Sequence, residues 1–183
     1  MTGEVRLIGG QWKRSKLPVL DRPGLRPTPD RVRETLFNWL GQDLAGWRVL
    51  DAFAGSGALG FEAASRGARE VVLLERDAVL ARALAASKDR LHADALQVHV
   101  ADALAWMAGA AQGRFDLVML DPPFDAGLHG AATDAALKLL SPGGWLYVES
   151  DQALEPPPGL EAWRHLKAGT VHAHLWRRIH SKP

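Results

Sequence analysis

Residues 121–124 read Asp-Pro-Pro-Phe and follow directly on the apolar run Leu117-Val118-Met119-Leu120. Consecutive prolines fix φ, forbid helix and offer no backbone N–H. They hold a rigid extended turn whose carbonyls can face a cleft. The exocyclic amine of a purine is a poor nucleophile, because its lone pair is delocalised into the ring. Its two N–H bonds can donate to two fixed acceptors, the Asp121 carboxylate and the Pro122 carbonyl. That arrangement favours a pyramidal nitrogen with its lone pair free to attack a methyl group. Pro123 keeps the turn extended, and Phe124 is placed to stack on the base. Asp121 to Phe124 are therefore the candidate catalytic residues. Proton loss can follow transfer, so these residues do not decide whether Asp121 is also the base.

A second constellation lies upstream, in Asp51-Ala52-Phe53-Ala54-Gly55-Ser56-Gly57-Ala58-Leu59-Gly60. Glycines at a strand-to-helix junction let a loop turn tightly and bring backbone amides against a ligand. The run also satisfies the dinucleotide pattern G-x-G-x-x-G. Glu75 stands 20 residues beyond Gly55, near the offset at which a carboxylate grips a ribose diol. Asp102, followed by Ala103, ends a later strand, where it can accept from an adenine amine, cap a helix, or do both. Asp51, Phe53, Gly55, Gly57, Glu75, Asp102 and Ala103 thus form a candidate site for an adenosine-containing cofactor. Two features favour methyl over hydride transfer. Asp51 would repel a pyrophosphate but suits the sulfonium and ammonium of S-adenosylmethionine, and a dehydrogenase has no use for Asp-Pro-Pro-Phe.

The elements that must position these residues follow from the pattern. From residue 47, five apolar strands alternate with four helical segments, which implies βαβ units and a doubly wound, mostly parallel α/β sheet. Residues 162–167 and 170–178, around Ala168-Gly169, read as two further strands on an antiparallel edge. Upstream, residues 5–8 suggest a short strand, residues 9–28 an extended loop, and Thr28-Pro29-Asp30 the start of a helix. The helix carries an apolar face of Val32, Leu36, Trp39 and Leu40. The expected organisation is a basic arm and helix over residues 1–40, packed on a domain spanning 41–183.

The formal net charge is +1, but residues 1–33 hold eight Lys/Arg against three acids, a local +5. Such asymmetry is a footprint of a polyanion partner or simply a solvated arm. Cysteine is absent, which excludes disulfides, thiolate metal sites and thiol nucleophiles. The seven His show no convincing metal-ligand spacing. His172 and His174 share a strand face without a carboxylate, so no metal is expected. No apolar run nears the roughly 18 residues needed to span a bilayer, and the first 16 residues lack the apolar block of a signal peptide. A cytoplasmic protein without membrane attachment is expected.

Taken together, D-x-F-x-G-S-G, an acidic second-strand end and D-P-P-F resemble the class I S-adenosylmethionine-dependent methyltransferases that act on exocyclic amines. The stretches LIGGQWKRSKL and GLRPTPDRVRETLFNWL are similar to the bacterial family that methylates N2 of guanine-966 in 16S ribosomal RNA. The resemblance covers nearly the whole chain. It implies a seven-stranded, Rossmann-like sheet, S-adenosylmethionine as donor, and RNA of the small ribosomal subunit or its assembly intermediate as partner. It also implies that Thr28–Phe37 closes over the cofactor. Trp12, Lys13, Arg14, Lys16, Arg22 and Arg26 would meet the RNA, the cations tracking phosphates. A monomer is expected. The residues leave open an adenine-N6 methyltransferase, an NAD-dependent oxidoreductase and a non-catalytic RNA-binding scaffold.

Overall fold

The computed structural model describes residues 3–123 and 127–179. It opens with an antiparallel hairpin of β1 (Gly3–Arg6) and β2 (Lys16–Val19), followed by α1 (Asp30–Trp39). Then come β3 (Arg48–Asp51), α2 (Ala58–Ser65), β4 (Glu70–Glu75), α3 (Ala78–Leu91), β5 (Leu96–Val100), α4 (Ala103–Ala108) and β6 (Phe115–Leu120). The chain ends with α5 (His129–Leu139), β7 (Leu140–Ser150), β8 (Leu160–Ala168) and β9 (Val171–Arg178). The main sheet has seven strands in the order β5-β4-β3-β6-β7-β9-β8. Strands β3 to β7 pair in parallel; β9 is inserted antiparallel between β7 and β8.

The central strands are apolar at consecutive positions because both faces are covered. Val71, Val72, Leu73 and Leu74 of β4 are all fully buried. One face, with Val49, Val71, Leu73, Leu117, Met119 and Tyr147, packs against α1, α2 and α3 through Leu36, Phe37, Phe61 and Leu84. The other, with Leu50, Val72, Leu74, Val118, Leu120 and Val148, packs against α4 and α5 through Met107, Ala132, Ala136 and Leu139. From β3 the chain winds outward through β4 to β5, then returns to lay β6 on the opposite side of β3. The winding therefore reverses between β3 and β6, and a doubly wound sheet opens its ligand crevice at the carboxyl ends there. Asp51 closes β3, and Asp121 follows β6.

Three expectations need correction. The segment 9–28 is not a continuous loop, since Lys16–Val19 pairs with β1 and buries Leu17 completely. Short strands with a proline, here Pro18, do not announce themselves by periodicity. Second, α1 starts at Asp30 with Pro29 in the cap position, and Thr28 makes no capping bond; its hydroxyl is used elsewhere. Third, Ser141-Pro142-Gly143-Gly144, a run of turn-forming residues that in the alternation of elements would stop the fourth helix before the fifth strand, lies inside β7. Gly143 (φ +74) and the shifted register between Phe115 and Leu117 make it a bulge.

The N-terminal hairpin is anchored by polar contacts. The fully buried Glu62 carboxylate accepts the amides of Ile8 (2.8 Å) and Gly9 (3.0 Å) and the Arg66 Nε–H (3.2 Å). Arg33, with no exposed surface, donates to the Arg6 carbonyl (3.1 Å) and to Asp30. Gly10 lies so close to α2 that a Cβ would sit 1.9 Å from the Ser65 carbonyl oxygen. The double glycine thus serves close docking rather than flexibility.

Candidate active site

Asp51 and Asp121 share the face of the sheet that carries α1, because side chains alternate along a strand. Asp51 has the parity of Val49, and Asp121 that of Met119 and Leu117. Pairing of Leu120 with Val148 sets Asp121 beside Glu149, and Glu149 has the parity of Tyr147. Three carboxylates from three neighbouring strand ends therefore lie on one face at the carboxyl edge of the sheet.

Asp51 is 1% exposed. Its Oδ2 accepts the Gly60 amide at 3.0 Å, while Oδ1 is buried with no hydrogen-bond partner. Burial pushes its carboxyl up to about 7. The Gly60 N–H and the nearby Phe53 amide oppose the shift; Glu75 and Glu149 add to it. An orphaned buried oxygen beside two other acids is a receptor for a cationic group.

The glycine loop is shaped by its own packing. Gly57 has φ +83, and a Cβ there would lie 2.6 Å from Leu84 and 2.8 Å from Phe61; one at Gly60 would lie 2.1 Å from Leu73. These two glycines are demanded by the core beneath the loop, so G-x-G-x-x-G by itself does not speak for a dinucleotide. Gly55 differs: it is half-buried, has φ +55, and contacts the Leu25 side chain from above. Its amide donates to Glu75 Oε1 (3.0 Å), and Glu75 Oε2 accepts the Asp77 amide (2.7 Å). Glu75 therefore ties the loop to the end of β4, and each of its oxygens keeps a lone pair for a ligand hydroxyl. Asp102 caps α4 through Ala105 (2.9 Å) and stays exposed, Ala103 is buried under that helix, and Phe53 packs on the second core.

Asp121 retains some accessible surface, Pro122 is buried and Pro123 exposed. Phe124 lies outside the described residues, so its stacking role is not part of this geometry. Burial, with the Glu149 carboxylate next, raises the Asp121 carboxyl well above the ordinary range. Glu149 and Tyr147 have no role in the sequence reading, and Thr28 has only that of a helix start and of the closing segment. Yet the Tyr147 hydroxyl (2.6 Å) and the Thr28 hydroxyl (2.8 Å) both donate to Glu149 Oε1, and all three residues are buried. The signal was present in the apolar strand WLYVES, which carries Tyr and Glu two positions apart on one face.

The arm residues divide. Lys13, Arg14, Lys16 and Arg26 are exposed. Lys16 pairs with Glu4 (3.4 Å), and the half-buried Arg22 pairs with Asp77 (3.4 Å) beside the site. Trp12 is partly buried against the first core, its amide held by Ser65 Oγ at 3.0 Å. Near the other end of the chain, His165, His172 and His174 stack with centroids 4.9–6.2 Å apart, and no metal-binding cluster occurs among the described residues. No helix of the described residues is long and apolar enough to cross a membrane.

A seven-stranded sheet with one antiparallel insertion, and acids at the reversal of its winding, defines the class I methyltransferase fold. The family described as "Conserved hypothetical protein 95" matches residues 5–177, and the chain belongs to it. Its relatives include proteins named "Ribosomal RNA small subunit methyltransferase D". That of Escherichia coli K12 is 41% identical over 186 residues, covering 97% of this chain and 91% of the relative. That of Haemophilus influenzae is 44% identical over 180 residues, covering 92% and 90%. A solved Escherichia coli chain, yhhF, superimposes with a TM-score of 0.86 at 37% identity, covering 97% of this chain and 99% of its own. A 16S rRNA N2 methyltransferase from T. thermophilus, solved with AdoMet and guanosine, has a TM-score of 0.74. At 23% identity, over 98% of this chain and 50% of the other, it shares the fold.

Proposed function

We propose that the protein methylates the exocyclic N2 amine of one guanine in 16S RNA of the small ribosomal subunit, using S-adenosylmethionine. The observation that carries this reading is the placement of Asp121-Pro122 at the winding reversal, facing the orphaned Asp51 oxygen. The relatives' name supplies the class of RNA. When bound, S-adenosylmethionine supplies a methyl on a cationic sulfur, so that an N–C bond forms as the C–S bond breaks and the electron pair stays on sulfur. Asp51 would face its positive end, Glu75 the ribose, Asp102 the adenine, and the Gly55 backbone would border the pocket. Asp121 and the Pro122 carbonyl would hold the two amine hydrogens, and Phe124 would stack on the base. Lys13, Arg14 and Arg26 would contact phosphates, and the target base would be splayed out of its RNA to enter the cleft.

The experiment is nucleoside analysis of small-subunit RNA from cells lacking the protein, in which one N2-methylguanosine should disappear. In vitro, Asp121→Ala should abolish transfer while S-adenosylhomocysteine still binds. Full activity in that variant refutes the role of Asp121. Asp-Pro-Pro-Phe suits adenine N6 equally, and label recovered in 6-methyladenine would move the reading to that amine.

A further inference from the structure

We propose that Glu149 is a positioning residue for the transfer, holding Asp121 in place and receiving through it the proton that the methylated amine sheds. The inference rests on the guanine-N2 reading above but on a different set of contacts. Asp121 and Glu149 stand side by side because Leu120 pairs with Val148, with their side chains on one face of the sheet and no cation of the described residues between them. Two carboxyls can share a hydrogen bond only if the pair holds a proton. Glu149 Oε1 already accepts from Tyr147 (2.6 Å) and Thr28 (2.8 Å), so that oxygen is fully engaged as an acceptor. The proton therefore resides on Asp121, whose carboxyl is held well above the ordinary range by burial and by Glu149.

The groups facing this pair are Asp51 from β3, Thr28 from the segment before α1 and Tyr147 from β7 itself, while His129 from α5 and His174 from β9 meet the β7 backbone from the opposite face of the sheet. The His129 Nε2–H donates to the Glu149 carbonyl at 2.7 Å. His174 Nδ1–H donates to the Val148 carbonyl (3.0 Å), and its Nε2 accepts the Leu154 amide (3.0 Å), which fixes one neutral tautomer. Burial lowers the basicity of His174 further and keeps the Tyr147 hydroxyl protonated. None of the seven ion pairs among the described residues involves Asp51, Asp121 or Glu149.

A protonated Asp121 still offers its carbonyl oxygen to an amine N–H. Once the N–C bond has formed, the nitrogen carries one positive charge. Its proton passes to that Asp121 oxygen, while the proton already on Asp121 moves to Glu149. The pair starts with one proton and a charge of −1, and ends with two protons and none. The positive charge that arrived with the donor thus ends as a proton on the pair, so no net charge builds up in a buried cleft. When the site reopens, water takes that proton and restores the resting pair. Glu149 makes Asp121 both a hydrogen-bond acceptor for the substrate and a proton conduit.

Two measurements test this. The first needs no substrate: carboxyl-13C resonances of the ligand-free protein are titrated, and the Asp121 signal is assigned by its absence in D121N. In wild-type protein it should titrate well above the ordinary range, and in Glu149→Gln clearly lower. An unmoved Asp121 titration overturns the proposal. The second is single-turnover methyl transfer to small-subunit particles as a function of pH. E149Q should be slower by about a hundredfold, with unchanged S-adenosylhomocysteine affinity. Tyr147→Phe, which keeps the carboxylate and removes one donor, should move the acidic limb to higher pH. Wild-type rate and profile in both variants overturn the proposal. Should E149Q not fold, the titration and the pH profile of Y147F decide. If the wild-type protein leaves guanine N2 unmethylated, the guanine reading fails, and the ligand-free titration still decides the Asp121–Glu149 pair.

Discussion

Asp51→Asn should weaken the binding of a cationic ligand and at the same time stabilise the empty protein. The Asp51 carboxyl is moved from an ordinary 3.8 to about 7 by burial. The sign of the stability effect follows. A carboxyl with a raised folded value binds its proton more tightly when folded, so stability falls as pH rises through the window from about 4 to about 7. Above that window the ionised group costs up to about 4 kcal/mol, at about 1.4 kcal/mol per unit. Asn keeps an acceptor for the Gly60 amide and places no charge in the core. Thermal unfolding without ligand should thus show D51N more stable than wild type at pH 8 and nearly equal to it at pH 4. Ligand binding reads the other side of the same linkage. S-adenosylmethionine should bind about tenfold more weakly for each unit below pH 7, because the cation meets a neutral acid there. In D51N that dependence should vanish, with affinity at pH 8 lowered by about 1.5–3 kcal/mol, the range of a charge-assisted hydrogen bond. Calorimetry at pH 5.5, 7 and 8 measures it. Equal affinity and equal pH dependence in both proteins would refute the assignment of Asp51 to the cation.

Glu62→Ala should cost about 3–5 kcal/mol in denaturant unfolding, since it leaves Arg66 and two backbone amides without their acceptor and the buried Arg33 without the counter-charge 4.0 Å away; limited proteolysis should then cut within residues 8–28. Gly57→Ala should lower stability by at least about 1–3 kcal/mol, because the left-handed backbone and the contacts with Leu84 and Phe61 leave no room for a methyl group, and urea unfolding measures this. Glu75→Gln should unsettle the Gly55 loop and weaken S-adenosylhomocysteine binding, with little change in the unfolding midpoint. Replacing both Lys13 and Arg14 by alanine should reduce the slope of log affinity for RNA against log salt by about 1.4–1.8, with the single-turnover rate unchanged at saturating RNA.

Much of this was legible along the chain. The alternation from residue 47 gives the order of strands and helices, and Gly55, Glu75, Asp102 and Asp121 stand at the strand ends expected of them. Asp102 caps α4, one of the two uses its position suggested. What could not be read depends on partners distant in sequence. Thr28 and Glu149 are 121 residues apart. Thr28 looked like a helix cap because local pattern offers it an amide three residues on; the fold offers a buried carboxylate instead. Arg33 counted as one more positive charge on the arm, yet it is buried between Asp30 and the Arg6 carbonyl. Gly143-Gly144 read as a stop because glycine marks both turns and bulges, and only the pairing of β6 with β7 distinguishes them. Charge counts likewise could not show that Arg22 and Lys16 already have acidic neighbours.

The stretch from Leu20 to Thr28 crosses the glycine loop. Leu25 rests on Gly55, Arg22 grips Asp77, and Thr28 reaches Glu149. The cations that would meet RNA flank this same stretch of backbone. One strap of backbone is thus tied to the ends of three strands, so a pull on it at any one tie is felt at the Gly55 loop, at Asp77 and at Glu149 together.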